Sequence, residues 1–125
     1  ELLRRAYAAF AAGDDDTLRA VLAPTVVWHV AGHNPLAGTY RGPEEVLGYL
    51  ERLRALTDGT FRLEVHDVLA NDEHALGMHR AFAERHGRRL ADGEVLVCHV
   101  ANGRVTEIWA MGGDQYLVDQ FWSLG

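Results

Sequence analysis

The second half of this chain holds four β-patterned segments joined by connections too short for anything but hairpins. Thr60 to Ala70 alternates, with Phe61, Leu63 and Val65 set against Arg62, Glu64 and His66. Further segments span His74 to Arg85, Arg88 to Ala101 and Arg104 to Met111, separated by Asn71-Asp72, His86-Gly87 and Asn102-Gly103. An Asn-Gly pair between apolar runs is the strongest short hairpin signal. Strands joined by so few residues must run antiparallel, because a parallel partner needs a long crossover. Asp92-Gly93 lies inside the third segment, where a bulge is expected.

The first half has a different period. Leu3, Tyr7 and Phe10 recur at helical spacing, so residues 2–12 predict an amphipathic helix ended by Gly13. Asp14 or Asp15 can cap a second helix reaching about Leu22, and Pro24 stops it. Thr25 to Val30 is β-branched and aromatic and reads as a strand. Ala31 to Gly42 holds three glycines and an Asn-Pro, and reads as a loop. Pro43 suits the first position of a third helix, whose apolar stripe (Val46, Leu47, Leu50, Leu53, Leu56) runs to Thr57. Gly112-Gly113 ends the last strand, and Asp114 to Trp122 predicts a short terminal helix.

Helices gathered ahead of hairpin-linked strands mean an α+β fold with an antiparallel sheet, three helices in the N-terminal half and a short C-terminal helix. At 125 residues, the expectation is a single domain over residues 1–125. The order contains no βαβ alternation and no glycine-rich phosphate loop, which argues against nucleotide-binding classes. Arg supplies all twelve cations against eighteen acidic residues, a net charge of −6 that disfavours a nucleic-acid partner. Arg85, Arg88 and Arg89 flank a turn and read as solvated. No apolar run has the length of a membrane span. The lone Cys98 excludes an internal disulfide, so a reducing, cytoplasmic compartment is expected. The chain opens on Glu1 without Met, so its start reads as trimmed, and nothing there resembles a signal peptide.

Seven histidines stand out: His29, His33, His66, His74, His79, His86 and His99. Imidazole titrates nearest neutrality and so suits proton transfer. His66, His74 and His86 fall at exposed strand or turn positions. His79 shares a strand face with Ala75, Gly77, Ala81 and Ala83, residues small enough to leave room for a ligand. Thr106, Ile108, Ala110 and Gly112 make a similar face on the last strand, and continuing that phase adds Asp114.

The layout resembles the nuclear transport factor 2-like superfamily, and within it the SnoaL-like polyketide cyclases and ketosteroid isomerases. The resemblance rests on Ala8-Ala9-Phe10-Ala11-Ala12-Gly13-Asp14, Val27-Trp28-His29-Val30-Ala31-Gly32, Pro35-Leu36-Ala37-Gly38-Thr39-Tyr40-Arg41-Gly42 and Asn102-Gly103-Arg104-Val105-Thr106-Glu107-Ile108-Trp109. It implies a cone whose sheet wraps the helices around a pocket for a small apolar molecule, and a homodimer formed through the outer sheet face. It puts the isomerase base at His29, where the family has Asp. It puts the enolate-oxygen donor at Val95, which cannot donate. Asp114 resembles the acid/base residue after the last strand of the cyclases, one residue further from Trp109 than is usual.

The expected activity is therefore isomerase- or cyclase-type acid–base chemistry on a carbonyl-containing apolar substrate such as a polyketide or steroid. The candidate catalytic residues are Asp114, His29, His79 and His99, with His99 offering a polar group near Val95. Tyr7, His33, Tyr40, Tyr49, Gly77, Ala81, Val95, Val97, Ile108 and Ala110 are expected to line the pocket. Each polar residue has a plainer reading: Asp114 as a helix cap, His29 as a backbone-bonded histidine, His79 and His99 as a structural pair. Neither a cofactor nor a metal is expected: His29 and His33 lie across a strand and a loop, and zinc needs three or four converging ligands, for which His29, His79, His99 and Asp114 are the set that could converge. Cys98 reads as a buried hydrophobe rather than a nucleophile. The alternatives are a non-catalytic, dimeric ligand-binding module and an epoxide hydrolase; the latter needs an Asp–Arg–Asp cluster that Asp67 and Asp114 do not supply.

Overall fold

A computed structural model describes residues 2–123. In chain order the elements are α1 (Leu2–Ala12), α2 (Asp15–Val21), β1 (Leu22–Val30), β2 (Gly38–Arg41), α3 (Gly42–Leu56), β3 (Arg62–Ala70), β4 (His74–Arg85), β5 (Arg88–Ala101), β6 (Arg104–Gly112) and α4 (Gln115–Trp122). Local chemistry sets the boundaries. Gly13 ends α1 at φ 69°, a left-handed conformation that costs glycine nothing. The Asp14 carboxylate then accepts the Thr17 N–H at 3.1 Å and caps α2. Pro43 opens α3 beside Glu44 and Glu45, which suit the positive end of the helix. No described helix is long and apolar enough to cross a membrane.

The strands form one curved, unclosed sheet in the order β2-β1-β6-β5-β4-β3. The β3–β6 meander is antiparallel throughout, as its turns require. Two of the sheet's pairings depart from the sequence expectation. The sheet is mixed, because β1 pairs with β6 in parallel, Trp28 beside Ile108 and Val30 beside Ala110. The supposed loop from Ala31 to Gly42 also ends in a strand, β2, which folds back on β1 with Trp28 opposite Tyr40. A four-residue strand containing Gly38 carries almost no periodic signal.

The expected bulge at Asp92-Gly93 is absent: Gly93 pairs with Arg80 in unbroken register. The irregularities fall instead between Val65 and Asp67 and between His99 and Val100. Buried Asp92 has a different task. Its carboxylate accepts the Gly113 and Asp114 N–H groups at 3.1 and 3.2 Å, while the Gly93 carbonyl accepts Gly113 N–H at 2.8 Å. These bonds fix the exit of β6 into α4.

The concave face of the sheet packs against the helices. Along β4 alternate residues are buried: Ala75, Gly77, His79, Ala81, Ala83 and Arg85. The small residues do not leave this space for a ligand. Helix α1 takes it, with Leu3 and Tyr7 lying where a side chain at position 77 would go. At the other end of the same row, the Arg85 guanidinium donates to the Phe121 and Ser123 carbonyls and holds the C-terminus of α4.

Gly77→Val puts a branched side chain into the space held by Tyr7. We expect a loss of about 1–3 kcal/mol in urea unfolding, the usual cost of overpacking. The same substitution at exposed Gly48, where a Cβ meets nothing within 4 Å, should not evict any neighbour.

Candidate functional site

An apolar cavity of about 90 Å³ lies between α1, α3 and the concave sheet. Leu3, Phe10, Val46, Leu50, Leu53, Leu96, Ile108 and Ala110 form much of its wall. Five residues bring polar atoms to it: Tyr7, Trp28, Tyr49, His79 and Glu94. A second cavity, of about 50 Å³ on the α4 side, shares Tyr49, Leu53, Phe61, Glu94 and Ala110 as walls. Glu94 and Tyr49 thus stand where the two spaces meet.

His79 and Glu94 lie directly opposite each other on β4 and β5. The His79 Nε2 is 2.9 Å from Glu94 Oε1, and its Nδ1 is 2.7 Å from the Tyr7 hydroxyl. Direction follows from donor chemistry. A carboxylate only accepts, so the imidazole presents Nε2–H to Glu94 and receives the Tyr7 O–H at Nδ1. Burial, with added repulsion from Cys98 and Glu94, holds the Tyr7 hydroxyl well above the ordinary phenol range, so it remains a donor. The His79 side chain is 3% exposed and that of Glu94 is 22% exposed. The imidazole is therefore an internal link, and the carboxylate is the end that reaches open space.

The other expected site residues divide by sheet face. Ile108 and Ala110 line the cavity with Tyr7 and Tyr49. Gly77 and Ala81 are on the concave face but lie under packed side chains. His29, Val95, Val97 and His99 belong to the convex face, which corrects the expectation that His29, His79 and His99 converge. His29 Nε2 meets Glu107 Oε2 at 2.7 Å, and its ring stacks on Trp109 with centroids 5.3 Å apart. His99 packs edge-on against Trp109 and His74 at 5.0 Å each. On β5 the inward residues are instead Glu94, Leu96 and Cys98, because Cys98 and Leu96 pair with inward Ala75 and Gly77.

Three further expectations change. Asp114 is exposed and caps α4, its carboxylate accepting the Leu117 N–H at 3.2 Å. His33 is exposed, and its backbone N–H donates to Asp119 at 3.0 Å. Tyr40 stands behind the cavity wall: its hydroxyl donates to the Leu36 carbonyl at 2.6 Å and its ring lies 4.7 Å from that of Tyr49. Among the described residues, no three His, Cys, Asp or Glu side chains gather closely enough to hold a metal ion.

Sequence reasoning missed Glu94, although its signal was present. Six steps outward along both strands from the Arg85–Arg88 pair beside the His86-Gly87 turn reach His79 and Glu94 together. It also gave Trp28 no ligand-facing role.

A family model described as a SnoaL-like domain matches residues 3–108. The chain belongs to the SnoaL-like domain family. An uncharacterized protein of Mycobacterium tuberculosis strain H37Rv is 36% identical over 124 residues, covering 98% of this chain and 95% of its own length. The structure of Bal32a, from a soil-derived mobile gene cassette, is 37% identical with a TM-score of 0.93 and covers 97% of this chain and 93% of its own. IdmH of Streptomyces antibioticus, a candidate polyketide cyclase, shares the fold: TM-score 0.76 at 24% identity, covering 95% of this chain and 94% of its own.

In this SnoaL-like protein Cys98 sits on the concave face with no exposed surface, and burial pushes its thiol up to about 12. The thiolate is the reactive form. Iodoacetamide at pH 8 should therefore leave native Cys98 unmodified, and should label it fully after denaturation, as read by intact mass.

Proposed function

We propose that this SnoaL-like protein binds a small, largely apolar carbonyl compound and moves a proton on the carbon beside the carbonyl. One observation carries the reading: the hydrogen-bonded chain Tyr7–His79–Glu94 ends with a carboxylate at an apolar cavity. A carboxylate held at one oxygen by His79 is placed to take a proton from a ligand in that cavity.

Glu94 is the proton acceptor in this reading. Its Oε1 is held by the His79 Nε2–H, which leaves Oε2 to take the α-proton of the ligand. The C–H electron pair moves into the adjacent bond and gives an enolate. Return of the proton to another carbon completes an isomerisation. Attack of the enolate carbon on a second carbonyl of the same molecule, followed by protonation of the resulting alkoxide, completes a cyclisation. His79 is a positioning residue, and Tyr7 fixes its ring and tautomer from behind. The relationship to polyketide cyclases supports a substrate with several carbonyls. Asp114, His29 and His99 stand apart from this chemistry.

The test is deuterium exchange at the α-carbon of 4-fluoroacetophenone in D2O, followed by NMR. Exchange above the buffer rate should fall at least about a hundredfold in Glu94→Gln, in keeping with the size of general-base effects. Tyr7→Phe should retain part of the activity with an altered pH profile. Binding of the ketone without any exchange would replace this reading with a non-catalytic ligand-binding module.

We also infer that the convex face covers a second copy of this chain. Trp109 and Met111 lie there beside His29, His74 and His99, and Met111 is 44% exposed. Aromatic and Met surface of this kind is enriched at interfaces. Trp109→Glu should convert a dimer to monomer in sedimentation velocity while leaving the circular dichroism spectrum intact. A wild-type monomer at high micromolar concentration would overturn this assignment.

A further inference from the structure

Among the described residues, one buried donor at the cavity has no partner, and a second stands beside it. The Trp28 Nε1 is buried and has no partner among the described residues. The indole ring lines the cavity that holds His79 and Glu94. Buried donors of this kind are rare, because leaving one unmade forfeits its hydration with nothing in return. The second donor is Tyr49 of α3. Its side chain is buried at the junction of the two cavities, and among the described residues its hydroxyl is in no hydrogen bond. By contrast, the neighbouring Tyr40 hydroxyl is taken by the Leu36 carbonyl, and that of Tyr7 by His79.

The two rings are neighbours, with centroids 5.8 Å apart. Their placement has separate origins: β1 holds Trp28 between Tyr40 and Ile108, while α3 presents Tyr49 from above the sheet. Indole N–H can only donate. Burial first, then the charges of Glu94 and Tyr40, keeps the Tyr49 hydroxyl protonated far beyond neutral pH. Both groups therefore ask for an acceptor. Glu94, when ionised, has the opposite requirement and suits a C–H or O–H acid.

We propose that Trp28 Nε1–H and the Tyr49 hydroxyl together take a carbonyl oxygen of the ligand, so that the site selects an apolar ketone whose acidic α-carbon faces Glu94. The assignment rests on the acid–base reading of the same cavity and adds its electrophilic half. Oxyanion stabilisation comes from donors fixed in advance in a site with little water. It supplies the function that the resemblance put at Val95, which lies on the opposite face of β5.

The test separates oxygen recognition from simple apolar binding. 4-Fluoroacetophenone is compared with 4-fluoro-α-methylstyrene, the same shape with CH2 in place of oxygen, by fluorine NMR titration. The ketone should bind about tenfold more tightly, as two modest hydrogen bonds would give. Trp28→Phe and Tyr49→Phe should each weaken ketone binding about threefold to fivefold and leave the alkene unchanged. The Trp28 indole N–H resonance, assigned by its loss in Trp28→Phe, should move with the ketone and stay still with the alkene. Tyr49→Phe removes a single oxygen, so it keeps the test decisive if Trp28→Phe fails to fold.

Equal affinity for the two probes would overturn the donor pair, as would variants that weaken both probes alike. A ketone preference without deuterium exchange would leave the donor pair standing and remove the catalytic reading. Failure of both probes to bind would remove both.

Discussion

Helix α1 sits in the sheet because β4 offers it no side chain at position 77. Tyr7 fills that space and, from there, its hydroxyl reaches His79. One packing requirement thereby becomes a chemical one. A ring held against backbone cannot swing away, so the imidazole behind it keeps a fixed orientation, and Glu94 across the strand pair is held in turn. The polar chain at the cavity depends on how closely an aromatic ring approaches a glycine.

The five polar cavity residues come from five elements: α1, β1, α3, β4 and β5. None could reach another by local folding alone. What unites them is the sheet register, which places His79 opposite Glu94, and the parallel seam, which brings Trp28 beside Ile108. The convex face carries a separate chemistry, with His29 stacked on Trp109 and His99 edge-on to it, around Glu107. Of the histidines conspicuous in the composition, His29, His74 and His99 gather on the convex face with Trp109. Only His79 belongs to the cavity.

Most of the fold could be read from the residues because turns and caps are local. Asp14, Pro43, His86-Gly87 and Asn102-Gly103 each act within a few residues, and the elements they bound appear where expected. The site was harder because β5 reads Val95-Leu96-Val97-Cys98, apolar on both faces, so its alternation says nothing about which side is inward. A one-residue error in phase exchanges Val95, Val97 and His99 for Glu94, Leu96 and Cys98. The β4 phase was visible because its inward row is unusually small, yet small residues proved to be a seat for a helix rather than space for a ligand. The β1–β6 pairing joins segments far apart in sequence, and no turn announces it.

That seam also governs when the protein acquires its cavity. Leu22 to Val30 is made well before its neighbour Arg104 to Gly112. Until then the inner flank of β1 lacks its partner, and Trp28 has no wall to complete. Pairings of such separation are also slow to close, since the intervening chain must first lose its freedom. A chain that stops short of β6 can therefore form its earlier hairpins and still lack the Ile108 and Ala110 wall of the cavity.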